Sequence, residues 1–212
     1  IYGNNRYIYQ YISEKYPETE IKFDINKIKL VTIDIEVKSE KGFPTVEACD
    51  EEMLCITLQD YATKRILTFG VGPYHHNDKM VKYVQCNDEY DLLQHFVNFW
   101  SHDPPEVVTG WNCQLYDIPY LAKRITRVLG DKAYKKLSPW GLVTNEEIYM
   151  QGRAHTVYDI GGVTVLDYLD LYKKFTYKAQ ESYRLDYIGE VELGQKKLDH
   201  SEYDTFKEFY TK

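Results

Sequence analysis

Leu30 to Glu40 reads LVTIDIEVKSE. Leu30, Val31, Ile33, Ile35 and Val37 supply the apolar, largely β-branched bulk of a buried strand, and Asp34 and Glu36 interrupt it with two carboxylates. Side chains at i and i+2 of a strand point to the same face, so these two aim the same way with Cα atoms roughly 6–7 Å apart. In a buried strand they would repel, and the low dielectric would raise their pKa values. The pattern asks for a cationic partner. A solvated strand face is the alternative, and the apolar flanks argue against it.

On the N-terminal side, IYGNNRYIYQYISEKYPETEIKFD reads as a polar-aromatic lead-in broken at Pro17, so residues 1–28 are expected to be a tail of a preceding region. On the other side, Met53–Asp60 and Lys64–Gly70 read as strands around a tight Tyr61-Ala62-Thr63 turn, and the sheet begins antiparallel. Leu92, Leu93, Phe96, Val97 and Trp100 repeat at helical spacing over Glu89–Trp100, closed by Pro104-Pro105. Val107–Thr109 is a short β-branched run. Ile118, Leu121, Ala122, Ile125, Val128 and Leu129 share a helical face, with Pro119 tolerated in the first turn and Gly130 as the stop. Asn145–Gly162 (NEEIYMQGRAHTVYDIGG) predicts a hairpin about Gln151-Gly152-Arg153, Val163–Leu166 a strand, and DYLDLYKKF a helix. A last helix is expected from Glu181 to about Val191, ending near Gly194. The predicted fold class is α/β: a mixed sheet flanked by helices on both faces, with an inserted β-hairpin.

A 212-residue chain that is 43% hydrophobic can bury one substantial core. Cys49, Cys55, Cys86 and Cys113 form no C-x-x-C pair, which suggests neither a disulfide framework nor a zinc site and points to a reducing cytoplasm. No apolar run reaches the roughly 18 residues of a membrane span. The net charge of −7 argues against a broad basic nucleic-acid surface, although metal ions could hold a polyanion locally.

Asp117 lies at a loop-to-helix junction in TGWNCQLYDIPYLAKR, where an N-terminal cap is a sufficient account by itself. Joined to Asp34 and Glu36, it completes most of an oxygen-donor site for a hard cation such as Mg²⁺. Two such ions about 4 Å apart could activate a water and stabilise the leaving oxygen of a phosphodiester.

Four motifs in order carry a family resemblance: DIEV at Asp34–Val37, TGWNCQLYDIPY at Thr109–Tyr120, SPWG at Ser138–Gly141 and VLDYLDLYKKF at Val165–Phe175. YISEKYP before the first strand and LGQKK near the end extend it through nearly the whole chain. The sequence resembles the proofreading 3′→5′ exonuclease domain of family B DNA polymerases, above all those of T-even-type bacteriophages. The resemblance implies a ribonuclease-H-like fold over residues 29–212 and four acidic residues holding two divalent ions, Mg²⁺ or Mn²⁺. It makes Asp34 a ligand shared by both ions, Glu36 a ligand on the nucleophile side, and Asp117 a further ligand. Asn112, Tyr116 and Asp117 match an N-x-x-x-F/Y-D pattern, with Tyr116 where Phe is commoner. Phe43, in KSEKGFPT, matches a ring that stacks on a base near the 3′ end, a hydrophobic loop anchor being the equal alternative. The hairpin with Arg153 matches one that helps part primer from template, and a merely structural hairpin is the competing view. The implied partners are single-stranded 3′ ends or primer-template DNA, the other polymerase domains and a sliding clamp, with no membrane; the implied location is the host cytoplasm for a viral source.

The family's third motif, Y-x-x-x-D on a helix beyond the LGQKK region, supplies a fourth carboxylate and a water-positioning tyrosine, and is not found there, so the exonuclease domain is expected to be cut short at Lys212. The H-x-x-x-x-D variant of related proofreading subunits is not met either, since His155/Asp159 and His200/Asp204 are one residue too close. Asp167 and Asp170 are explained by a strand end and a helix cap. Two other classes stay open: a strand-partitioning DNA-binding module without activity, and a stand-alone ribonuclease-H-like nuclease.

Overall fold

A computed structural model of the chain describes residues 7–17, 20, 22, 24–39, 42–150 and 152–195. Gln151 of the hairpin turn, Lys196 and Lys197 of LGQKK, His200 and Asp204 lie outside the described residues. The lead-in contributes helix α1 (Tyr7–Lys15), whose described side chains are exposed.

The alternation of the opening motif dictates the sheet. In β1 (Leu30–Val37), Val31, Ile33, Ile35 and Val37 are buried on one face, which leaves Asp34 and Glu36 on the other. Antiparallel to β1 runs β2 (Met53–Asp60), and antiparallel to that β3 (Ile66–Val71). A strand with no clear alternation in its sequence, β4 (Val81–Cys86), adds parallel to β3 at the edge. After helix α2 (Glu89–His102), β5 (Val107–Gly110) returns parallel to β1. Helices α3 (Asp117–Leu129) and α4 (Asp131–Tyr134) follow, then the separate antiparallel hairpin of β6 (Val143–Met150) and β7 (Arg153–Ile160). β8 (Thr164–Asp167) pairs parallel with β5, and α5 (Tyr168–Phe175) and α6 (Leu185–Leu193) complete the described chain. The six-stranded order β4-β3-β2-β1-β5-β8 is the predicted mixed sheet flanked by helices, with β1 inside it. The last helix begins at Leu185 rather than Glu181, because Arg184 is still extended.

The core joins the odd residues of β1 to Leu92, Leu93, Phe96, Val97 and Trp100 of α2 and to Ile118, Leu121 and Ile125 of α3. One buried ion pair ties it together. Arg124 of α3 forks onto both carboxylate oxygens of Glu89, with Nε 2.7 Å from Oε1, and its Nη1 donates to the Cys49 carbonyl at 3.1 Å. Oε1 of Glu89 also accepts the Met53 main-chain N–H at 2.9 Å, so α2, α3 and the start of β2 share one network. Replacing Arg124 with alanine strands a buried carboxylate and is expected to cost about 3–5 kcal/mol. A urea midpoint that moves by less than the equivalent of about 1 kcal/mol would show the pair to be energetically neutral.

Candidate active site

Two features at the C-terminal end of β1 open the site. First, β1 pairs with β5 only through Thr32↔Thr109, so beyond that point its edge is unpaired by strand. Second, the register with β2 slips between Glu36 and Val37, a bulge that re-aims the strand where its carboxylates sit. The chain leaves β5 at Gly110, where a Cβ would lie 2.6 Å from the Ile33 carbonyl oxygen and 2.9 Å from the Cys113 Cβ. Only glycine lets the next loop pass this close to β1.

That loop, Trp111–Tyr116, is pinned by Asp167. Oδ1 of Asp167 accepts from the Asn112 main-chain N–H at 3.0 Å and from Leu169 N–H at 2.9 Å, while Oδ2 accepts from Gln114 N–H at 2.9 Å. Asp167 ends β8 as expected, but it is also the cap of α5 and a buried clamp on the loop, while Asp170, the expected cap, lies within the first turn of that helix. Asn112 takes the left-handed conformation (φ 64°), which asparagine tolerates better than most residues. The turn delivers Asp117 to the open edge of β1, where its Oδ1 accepts the Ile35 main-chain N–H at 3.1 Å. The helix-cap account of Asp117 does not hold: the cap position of α3 is Tyr116, and the carboxylate bonds to a strand 82 residues away in sequence.

Asp117 is 5% exposed. Burial, reinforced by the charges of Asp34 and Asp167, pushes its carboxyl up to about 7. Asp34 itself stands exposed and Glu36 half-buried, so the expectation of a fully buried carboxylate pair on β1 is corrected: the strand is buried on its odd face only. The carboxylate oxygens at this edge suit a hard divalent cation, which would also relieve the part of the Asp117 rise that comes, after burial, from the charge of Asp34. Asp34, Glu36 and Asp117 are nevertheless not drawn tightly together. Among the described residues, the one group of three ligand atoms all within 4.8 Å of one another is Cys86, Asp91 and His95, away from this edge.

Beside the carboxylates runs an aromatic row. Phe43, 80% exposed, has its ring centroid 5.4 Å from that of Tyr116, which lies 5.7 Å from Tyr120. Burial raises the Tyr116 phenol, with Tyr120, Asp117 and Glu36 adding to it. A cleft of about 530 Å³ is lined by Phe43, Asn112, Tyr116 and Arg153 together with Asp167 and Lys173. All four residues predicted to meet DNA therefore face one hollow, although they come from three separate parts of the chain. The chain does contain one Y-x-x-x-D spacing, Tyr74 to Asp78, but it falls in the irregular β3–β4 connection, with no helix to carry it. There Tyr74 packs on His76 and Tyr83, and Asp78 accepts from Met80 N–H at 2.8 Å. That is a loop's internal bonding, not the family's third motif.

The profile of the exonuclease domain of DNA polymerase family B matches residues 5–188. The chain belongs to this family. Curated relatives include the DNA-directed DNA polymerase of Escherichia phage RB69, 34% identical over 216 residues that cover 90% of this chain and 24% of that protein. The corresponding enzyme of Enterobacteria phage T4 is 30% identical over 224 residues, 93% of this chain and 25% of that protein. A DNA polymerase catalytic subunit of Psittacid herpesvirus 1 is 28% identical over 189 residues, covering 82% of this chain. The chain spans about a quarter of the length of the two phage polymerases. Family B exonuclease domains use divalent metals, and the oxygen donors at the β1 edge suit them. No helix among the described residues is long and apolar enough to cross a membrane.

Proposed function

We propose that the chain provides the 3′→5′ proofreading exonuclease of a replicative DNA polymerase, removing nucleotides from single-stranded 3′ ends. The observation that carries this reading is the Asp117 carboxylate docked on the open edge of the strand that bears Asp34 and Glu36. Asp34, Glu36 and Asp117 would hold the metals, with Mg²⁺ or Mn²⁺ as the ions. Two bound ions supply an activated water and charge for the leaving 3′ oxygen. The chain's own residues position the strand. Phe43 stacks on a base near the terminus, Tyr116 wedges beside it, and Asn112 and Arg153 bind the backbone from the same cleft. Asp167 holds the loop that presents Asn112 and Asp117. The hairpin helps to part primer from template, and the remaining polymerase domains and a sliding clamp are partners of the longer protein.

In this reading residues 1–28 belong to a preceding region, and the fourth carboxylate and the water-positioning tyrosine come from a Y-x-x-x-D beyond the LGQKK region. The 212-residue chain should therefore digest a labelled single-stranded 3′ end far more slowly than a chain extended through that motif, at equal folded concentration in Mg²⁺ and in Mn²⁺. Removing one ligand weakens a hard-cation site but leaves most of its charge, whereas residues that act as a unit lose activity non-additively. Equal rates would move the fourth ligand inside this chain. No digestion by either chain would leave a strand-partitioning module.

Phe43 gives an independent check on the DNA path. Its ring is exposed and borders the cleft, so Phe43→Ala should weaken binding of a short single strand by about 1–3 kcal/mol while changing fold stability by no more than about 0.5 kcal/mol. Fluorescence anisotropy without divalent metal measures the first and thermal unfolding the second. Unchanged affinity would make Phe43 a loop anchor.

A further inference from the structure

Outside the exonuclease site, one cluster combines sulfur, nitrogen and oxygen donors. Cys86 ends the edge strand β4, while Asp91 and His95 lie one turn apart at the start of α2. One ligand atom from each comes within 4.8 Å of the other two. The sheet order sets β4 three strands from β1, so this cluster is separate from the motif carboxylates.

The surroundings hold the donors in place. Asn87 gives both its main-chain N–H and its side-chain amide to Oδ2 of Asp91, each at 3.0 Å, which leaves Oδ1 turned toward His95 Nδ1 at 3.0 Å. The Asp91 main-chain N–H is taken by Asp88 Oδ1 at 2.9 Å, so the first turn of α2 is capped without using the Asp91 carboxylate. His95 Nδ1 is 2.9 Å from the Asp91 carbonyl oxygen, which fixes the plane of the ring. An oriented carboxylate and an oriented imidazole are what ligand-supporting hydrogen bonds provide in metal sites. Cys86 is buried, at 1% exposure, and its Sγ lies 3.5 Å from the Val84 carbonyl oxygen; His95 is exposed and gives a path from solvent.

We propose that Cys86, Asp91 and His95 form a binding site for a borderline-soft divalent cation, zinc, with solvent as the fourth ligand, clamping the edge strand β4 to α2. A thiolate, an imidazole and a carboxylate are a zinc donor set, and Mg²⁺, which prefers oxygen, is poorly served by it. The ion takes the thiolate form of Cys86, so its uptake displaces a proton and weakens as pH falls. The spacing escapes a motif search because the strand-to-helix corner, not a C-x-x-C turn, brings the three together.

The test uses the full chain carrying Asp34→Ala and Glu36→Ala, which removes the competing oxygen site, and titrates it with Co²⁺ and with Zn²⁺. Co²⁺ should produce a thiolate-to-metal charge-transfer band that vanishes in Cys86→Ser. Zn²⁺ affinity by calorimetry should fall at least about tenfold in His95→Ala and roughly 10–100-fold in Asn87→Ala, which alters only the support of Asp91. His95 and Asn87 are exposed, so these two variants keep the test valid if Cys86→Ser fails to fold. Cobalt bound without a thiolate band, or zinc affinity within twofold in both His95→Ala and Asn87→Ala, overturns the proposal, as does an absence of binding.

Discussion

Substituting Asp34→Ala together with Glu36→Ala in a chain that carries the polymerase domains is expected to lower 3′→5′ digestion roughly a thousandfold or more and to leave nucleotide addition nearly unchanged. Metal-held charge contributes several kcal/mol to stabilising a phosphodiester transition state, and each 1.36 kcal/mol is about a factor of ten in rate. Both side chains lie on the less covered face of β1, while the core is made by Val31, Ile33, Ile35 and Val37. Their removal should therefore cost the fold little, within about 1 kcal/mol, and it relieves the repulsion that Asp34 exerts on Asp117. The measurement is digestion of a mismatched 3′ terminus beside primer extension by the same preparation. Parallel loss of both activities would mean that the carboxylates support folding, and persistent digestion would mean that they do not hold the catalytic ions.

Much of this was legible in local periodicity. The alternation in β1 and the apolar stripe of α3, bounded by Pro119 and Gly130, give signals within a dozen residues, and the structure reproduces them. The edge strand β4 was not legible in the same way. In VKYVQC only Cys86 is buried, because an edge strand needs no continuous apolar face, so the run carries weak alternation. Nor did LVTIDIEV reveal which of its faces would be covered: the odd residues join the core that α2 and α3 share, and Asp34 is left exposed. The bonds that build the site were out of reach for a different reason. Asp117 meets Ile35 across 82 residues, and Asp167 meets Asn112 across 55, through main-chain donors that have no residue type to mark them. A capping aspartate and a loop-clamping aspartate look alike in a sequence, and only the path of the chain separates them.

Asp117→Asn should move stability and activity in opposite directions. With its carboxyl raised from the unfolded value near 3.8 to about 7, Asp117 binds its proton more tightly in the folded chain than in the unfolded one. Folding is therefore favoured below about pH 4 relative to above 7, and stability contributed by this group declines as pH climbs through that window. About three pH units correspond to a loss on the order of 4 kcal/mol, fully in force at pH 8. Asparagine keeps an oxygen for the Ile35 N–H and cannot ionise, so the variant should unfold at a higher temperature at pH 8, by roughly 10 °C for a chain of this size, and its midpoint should vary less between pH 4 and 7. Chelator must be present, because a divalent ion that neutralises the edge should restore the wild-type stability through mass action and have less effect on the variant. Digestion should meanwhile fall about a hundredfold or more, since under the proposed function a neutral amide would replace an anionic metal ligand near Asp34. Thermal unfolding across pH, with and without Mg²⁺, measures one side and 3′-end digestion the other. A variant that is less stable than wild type at pH 8 with an unaltered pH slope would show that Asp117 is a structural hydrogen-bond acceptor whose charge has no cation to meet.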